Sequence, residues 1–173
     1  QHRRGPGQRR RPQRARVSEP DAAPAIRTDG TVLGFDVGAR RIGVAVGSTF
    51  GSPRAIAVVD VRDGSPDWPR IERLYKEWRP DGLVVGDPMT LDGGDQPIRK
   101  AARAFARELH SRMKVPVVMI DERNSSLEAA QRFADQRAEG RKRKRDAETL
   151  DAMAAAIIVE RWLAAPQDAV AVA

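Results

Sequence analysis

The stretch Gly34-Phe35-Asp36-Val37-Gly38-Ala39-Arg40-Arg41-Ile42-Gly43-Val44-Ala45-Val46-Gly47-Ser48 decides the fold. Apolar and β-branched residues run from Thr31 to Val37 and again from Arg41 to Ser48, and Gly38-Ala39-Arg40 between them reads as a hairpin turn. A third run of the same kind, Arg54 to Val61, completes an antiparallel meander. The first strand reads as buried on both faces, yet it carries Asp36 near its end. An Asp-x-Gly at a hairpin end is an ordinary turn motif. A carboxylate among core residues is not ordinary, because its burial is costly unless a cation faces it.

Downstream the hydrophobic period changes. Trp68, Ile71, Leu74, Tyr75 and Trp78 recur at helical spacing, with Asp67 as N-cap, Pro69 in the first turn and Pro80 as the stop. Gly82-Leu83-Val84-Val85-Gly86 is a short buried strand, and residues 87 to 97 form a loop rich in Gly, Asp and Pro. A second helix is expected from Pro97 to about Met113, with Ile98, Ala101, Ala102, Phe105 and Leu109 on one face. Pro116 to Ile120 reads as another buried strand, ending in Asp121-Glu122-Arg123. The Ser-x-x-Glu spacing of Ser125-Ser126-Leu127-Glu128 is a capping box that starts a third helix, to about Arg137. A last helix runs from about Asp146 to Leu163. The order β-β-β-α-β-α-β-α implies a mixed α/β sheet, with three antiparallel strands followed by two further strands and helices over its faces. Function is expected at strand ends.

Two more acid-bearing positions fall where core residues belong. Asp121 and Glu122 close a buried strand, where they serve either as partners of Arg123, as caps for the following helix, or as ligands. Asp151 lies in Leu150-Asp151-Ala152-Met153-Ala154-Ala155-Ala156-Ile157-Ile158-Val159, and its neighbours at i+3, i+4 and i+7 are Ala154, Ala155 and Ile158. That face should pack on the sheet, and the small alanines allow a close approach. Asp36, Glu122 and Asp151 converging from two strand ends and a helix would make an all-oxygen site for one or two Mg²⁺ or Mn²⁺ ions. The chemistry such a site performs is in-line displacement at a phosphodiester.

Composition agrees by exclusion. The 173-residue chain has no cysteine, so disulfides and thiolate metal sites are excluded, and its two histidines, His2 and His110, share no ligand spacing. No apolar stretch is long enough to span a membrane, and none follows the Arg/Pro-rich start as a signal peptide would, so a cytoplasmic address without membrane partners is expected. The net charge of +7 is concentrated: residues 1 to 16 hold seven arginines and no acid, leaving 24 basic and 24 acidic residues elsewhere. Residues 1–30 are expected as a disordered basic arm, 31–163 as one catalytic domain and 164–173 as a flexible tail. Within the domain, Arg141-Lys142-Arg143-Lys144-Arg145 forms a cation run suited to a nucleic-acid backbone. Arg123 beside the acids suits a scissile-phosphate contact, and Arg40 and Arg41 at the hairpin tip are further candidates.

With these residues assembled, the chain resembles the YqgF/RuvX family of nucleases with an RNase H-like fold. The matching segments are GFDVGARRIGVAVGS (34–48), DGLVVGDPMTLDGG (81–94), IDERNSS (120–126) and ETLDAMAAAIIVERWL (148–163), in that order. The resemblance implies an RNase H-like mixed sheet, catalytic acids at Asp36, Glu122 and Asp151, and a Mg²⁺ or Mn²⁺ requirement. It also implies maturation of the 5′ end of precursor 16S rRNA, or alternatively resolution of four-way (Holliday-junction) DNA. A junction substrate has two-fold symmetry and would call for a homodimer. Two positions depart from the family. Gly86-Asp87-Pro88 stands where Gly-Leu-Pro is usual, placing an extra acid that could join the metal site as Asp121 could, and Asn124 replaces a leucine. Two other classes compete: an actin-like or sugar-kinase ATPase, which needs two such domains where this chain has one, and a non-catalytic nucleic-acid or transcription-associated module, which gains nothing from buried acids that repel phosphate.

Overall fold

A computed structural model describes residues 26–88, 97–122, 131–132, 134–135 and 146–173. The strands are β1 (Val32–Val37), β2 (Arg41–Ser48), β3 (Gly51–Arg62), β4 (Ser65–Pro66), β5 (Gly82–Asp87), β6 (Val117–Asp121) and β7 (Val170–Ala171). The helices are α1 (Trp68–Trp78), α2 (Pro97–Arg112) and α3 (Asp146–Ala164). They build one seven-stranded sheet in the order β4-β3-β2-β1-β5-β6-β7. The β1–β2–β3 meander is antiparallel as expected, while β5 lies parallel to β1 and β6 parallel to β5. The mixed α/β class therefore stands, with β4 and β7 as short additions at the two edges.

The helix ends follow local chemistry. Asp67 caps α1 by accepting from the Arg70 N–H at 3.3 Å, and Arg79, at φ 45°, closes the helix one residue before Pro80. Residues 131–132 and 134–135 are helical, within the span expected for the capping-box helix, whose start lies outside the described residues. So do Arg123 and the basic run 141–145.

Two boundaries differ from expectation. Ile26, assigned to the arm, is only 6% exposed and fills the space over Gly82, so the folded part begins by Ile26; residues 1–25 lie outside the described set. Residues 164–173, expected as a tail, include a 3₁₀ turn at Pro166–Asp168 and then β7, which pairs antiparallel with β6. A run as short as Val170–Ala171 carries no periodic signal, and only the open edge of β6 makes it a strand.

Strand alternation divides the core into two layers. Leu33, Phe35, Val37, Val44, Leu83, Val85 and Val117 pack with Phe105 and Leu109 of α2 and Ile71 and Leu74 of α1. Trp68 and Phe35 both pack on the Phe105 ring, each at 5.4 Å between centroids. Val32, Ala45, Val84, Val118 and Ile120 face the other way, onto Ala155, Ile158, Val159 and Trp162 of α3. On that second face β1 and β2 present a lane of small residues. A side chain at Gly34 would strike Val159 and Ala155, one at Gly47 would strike Val159, and one at Gly43 would run into the main chain of Asp151. The sequence located the small residues on the helix; the glycines on the sheet contribute as much to the close approach.

A Cβ at Gly43 meets backbone, which cannot rotate away, whereas one at Gly51 meets open space. Gly43→Ala should therefore cost about 1–3 kcal/mol of stability by overpacking, and Gly51→Ala less than about 0.5 kcal/mol. Urea unfolding of the two variants checks this, and equal midpoints would contradict the backbone contact.

Candidate active site

The carboxyl ends of β1, β5 and β6 lie side by side, and each carries an acid. Alternation decides which of them meet. Asp36 follows Val32 and Gly34 onto the α3 face, and Glu122 follows Val118 and Ile120 onto the same face. Asp87 and Asp121 fall on the opposite face, in line with Leu83 and Val85 and with Val117.

Asp36 and Glu122 are hydrogen-bonded to each other. Glu122 is 7% exposed, the one polar or charged residue in the buried set of the described chain. Burial, then the neighbouring charge of Asp36, push its carboxyl up to about 9. Burial likewise raises Asp36, and Asp151 adds to the rise. The hydrogen bond acts oppositely on the two, favouring the proton on Glu122 and the charge on Asp36, so Glu122 donates. Among the described residues, Glu122 Oε2 has no hydrogen-bond partner. It lies over Gly86, where a Cβ would collide with it, so glycine at this strand position makes the room that the carboxyl occupies.

The third acid is held differently. The main chain of Asp151 rests on Gly43, the residue paired with Asp36 in the β1–β2 ladder. Its neighbours Ala154, Ala155 and Ile158 are buried as expected, but the Asp151 side chain is 30% exposed and ion-paired to Arg41, Nε to Oδ2 at 2.7 Å. Arg41, a candidate for phosphate contact, is thus engaged with a candidate catalytic acid. Among the described residues no three acids or histidines are assembled as a finished ligand set. What they do assemble is a buried Glu122 paired with a half-buried Asp36, one oxygen of Glu122 unpartnered, and a third carboxylate near enough to act on Asp36. An all-oxygen set of this kind fits a hard divalent cation, which would displace the Glu122 proton and satisfy the orphaned oxygen.

Asp87 is occupied by a residue that the sequence reading did not single out. Arg99, in the first turn of α2, donates from Nε to Oδ1 at 2.8 Å and from Nη2 to Oδ2 at 3.3 Å, with both side chains largely buried. A signal existed, since a cation in the first turn of a helix opposes the macrodipole unless an acid compensates. Asp87 still raises Glu122 through its charge. Arg161 of α3 works against that rise and donates to the Asp121 carbonyl at 3.3 Å, tying helix to strand end beside Glu122. Arg40 is exposed at the hairpin turn.

Two measurements follow from this geometry. An acid whose pKa is raised by folding binds its proton more tightly in the native state, so unfolding releases it above about 4.5, the ordinary value, and until about 9. Without divalent cations, stability should be fullest below that window and fall as pH rises through it. Glu122→Gln should flatten this fall relative to the parent in urea titrations with a chelator present, and parallel profiles would refute the proton on Glu122. For Asp87, substitution by Leu takes from the largely buried Arg99 the carboxylate that accepts two of its hydrogen bonds, and stability should fall by up to roughly 3–5 kcal/mol, the upper range for a broken buried pair, while divalent-cation affinity stays close to the parent's. A large loss of cation affinity with unchanged stability would instead make Asp87 a ligand.

Comparison with known proteins agrees with this architecture. Residues 30–165 match the family model RuvX, described as Holliday junction resolvase. A Xanthomonas axonopodis pv. citri protein named "Putative pre-16S rRNA nuclease" is 70% identical over 148 residues, covering 85% of this chain and 96% of its own length. A protein of the same name from Xanthomonas campestris pv. campestris is 68% identical over the same 148 residues. Among solved structures, Thermus thermophilus RuvC in complex with a Holliday junction substrate has the same type of fold. It superposes with a TM-score of 0.50 at 19% identity, covering 82% of this chain and 99% of that one. By motif order, matched span and identity over most of both lengths, this chain belongs to the RuvX family.

Proposed function

We propose that this protein is a divalent-cation-dependent nuclease whose reacting centre is formed by Asp36, Glu122 and Asp151, acting in the cytoplasm on the 5′ end of precursor 16S rRNA. The observation that carries the reading is the buried Glu122 against the half-buried Asp36, with Glu122 Oε2 unpartnered among the described residues, at the end of parallel strands. A protein gains no stability from two carboxyls pressed together away from water; it gains a strong site for Mg²⁺ or Mn²⁺. The names of the relatives support rRNA as the substrate.

When bound, the cation supplies Lewis-acid stabilisation of the phosphate and a more acidic water. The chain's own residues do the rest. Asp36 and Glu122 are fixed by strands and by the Gly86 gap, so their oxygens are positioned before substrate arrives. Loss of the Glu122 proton gives the site a third anionic carboxylate, after Asp36 and Asp151, and Ile158 beside it keeps one side dry. Arg40 at the exposed turn, with Arg123 and the run Arg141, Lys142, Arg143, Lys144 and Arg145, would meet substrate phosphates, and the basic arm would add affinity without chemistry. Asp87 and Asp121 lie on the other side of the strands; Asp87 acts on Glu122 through its charge, and Arg161 bonds the Asp121 carbonyl beside it.

A second substrate is favoured by one specific finding, the family description as Holliday junction resolvase. Cleavage of labelled precursor 16S rRNA and of a four-way DNA junction, side by side in Mg²⁺ or Mn²⁺, separates the two. Cleavage of the rRNA at a defined position is expected. Asp36→Asn should lower it by at least roughly a hundredfold, beyond the usual cost of disturbing a ligand's supporting partners. Its melting temperature should not fall, because the substitution removes a buried charge. If the parent cuts neither substrate with either cation, the nuclease reading fails.

A further inference from the structure

Arg41 holds the carboxylate of the third acid, Asp151, whose charge also reaches Asp36. Arg41 and Gly43 are two apart on β2, so both face α3, and Gly43 carries the Asp151 main chain while Arg41 receives its carboxylate. Asp36 is the ladder partner of Gly43. The helix backbone at Asp151 is therefore fixed between two destinations for one short side chain: Arg41 on one side, and Asp36 with Glu122 on the other. The ion pair is short, 2.7 Å, but both side chains keep about a third of their surface in water (36% and 30%), which makes it weak enough to exchange. It lies at the start of β2, beside the exposed hairpin turn at Ala39 and Arg40.

Resting on the divalent site argued above, we propose that Arg41 is a positioning residue that serves as resident counter-cation for Asp151 and competes with the metal for it. Without a divalent cation, Arg41 draws the Asp151 carboxylate away from Asp36 and Glu122. When a cation enters, Asp151 transfers to it, and the Arg41 guanidinium turns to a phosphate of the substrate. The exchange keeps the third carboxylate compensated in both states, and it couples metal loading to the appearance of an anion-binding group at the site's edge.

The competition gives a sign that a merely supporting role would reverse. Mn²⁺ binding to the full chain, measured by electron paramagnetic resonance of the free ion without nucleic acid, should tighten about two- to fivefold in Arg41→Gln, the range expected for release of an exposed ion pair. Arg41→Lys, which keeps a cation there, should stay near the parent. In an Asp151→Asn background the Arg41→Gln gain should vanish, because the two substitutions act on one interaction. Weaker or unchanged Mn²⁺ binding in Arg41→Gln overturns the proposal and leaves Arg41 as a brace for Asp151. A gain that persists in Asp151→Asn overturns it in favour of simple charge repulsion. A parent that takes up no Mn²⁺ overturns the divalent site itself and this inference with it, whereas a parent that binds while Arg41→Gln shows no gain overturns only the inference.

Discussion

The contact between the main chain of Asp151 and Gly43 sets the distance between helix and sheet, and the site depends on that distance. With a side chain at Gly43, α3 would ride higher on the strands, and Asp151 would stand away from Asp36. With glycine there, and with Gly34 and Gly47 along the same lane, the helix backbone rests directly on β1 and β2. The alanine-rich face of α3 matches this lane. Close packing of small residues here does what bulky side chains do on the opposite face, where the rings of Phe35, Phe105 and Trp68 pack together.

Such packing leaves little water near the acid pair, and the electrostatic cost shows in the carboxyls. Glu122 keeps its proton far above the ordinary range, and its bond to Asp36 disposes of that proton. Arg161 offsets part of the negative charge at Glu122, and Arg41 offsets that of Asp151. Every one of these arrangements compensates for charge, and none of them satisfies Glu122 Oε2. A buried carboxyl oxygen without a protein partner is uncommon in folded proteins and is accounted for by an ordered water, an ion or a catalytic role. The same low-dielectric surroundings that make the pair costly without a cation would make it bind one strongly.

The opposite side of the strand ends shows how much a single residue of register decides. Asp87 and Asp121 neighbour the site in sequence and along the sheet, yet alternation turns them toward α2, where Arg99 grips Asp87 through two hydrogen bonds. The acid that departs from the family's usual apolar residue thus comes with its own counter-charge from the helix that follows. It reaches Glu122 through its field rather than through its oxygens.

The sequence by itself determined the mixed α/β order, the antiparallel meander, the placement of Asp36 and Glu122 at strand ends and the burial of the Asp151 helix, because each is written in local periodicity and in turn or cap residues. Four motifs in order were enough to indicate the family. Tertiary structure alone decided which acids share a face, that Gly86 and Gly43 make room for a carboxyl and a backbone, and that Arg41, Arg99 and Arg161 are the cations in contact with these segments. Ile26 and the Val170–Ala171 strand also became legible only there. Local pattern specifies the state of each segment, but ion pairs between residues 110 apart, such as Arg41 and Asp151, depend on strand register and helix approach. Those are settled by the packing of all segments at once.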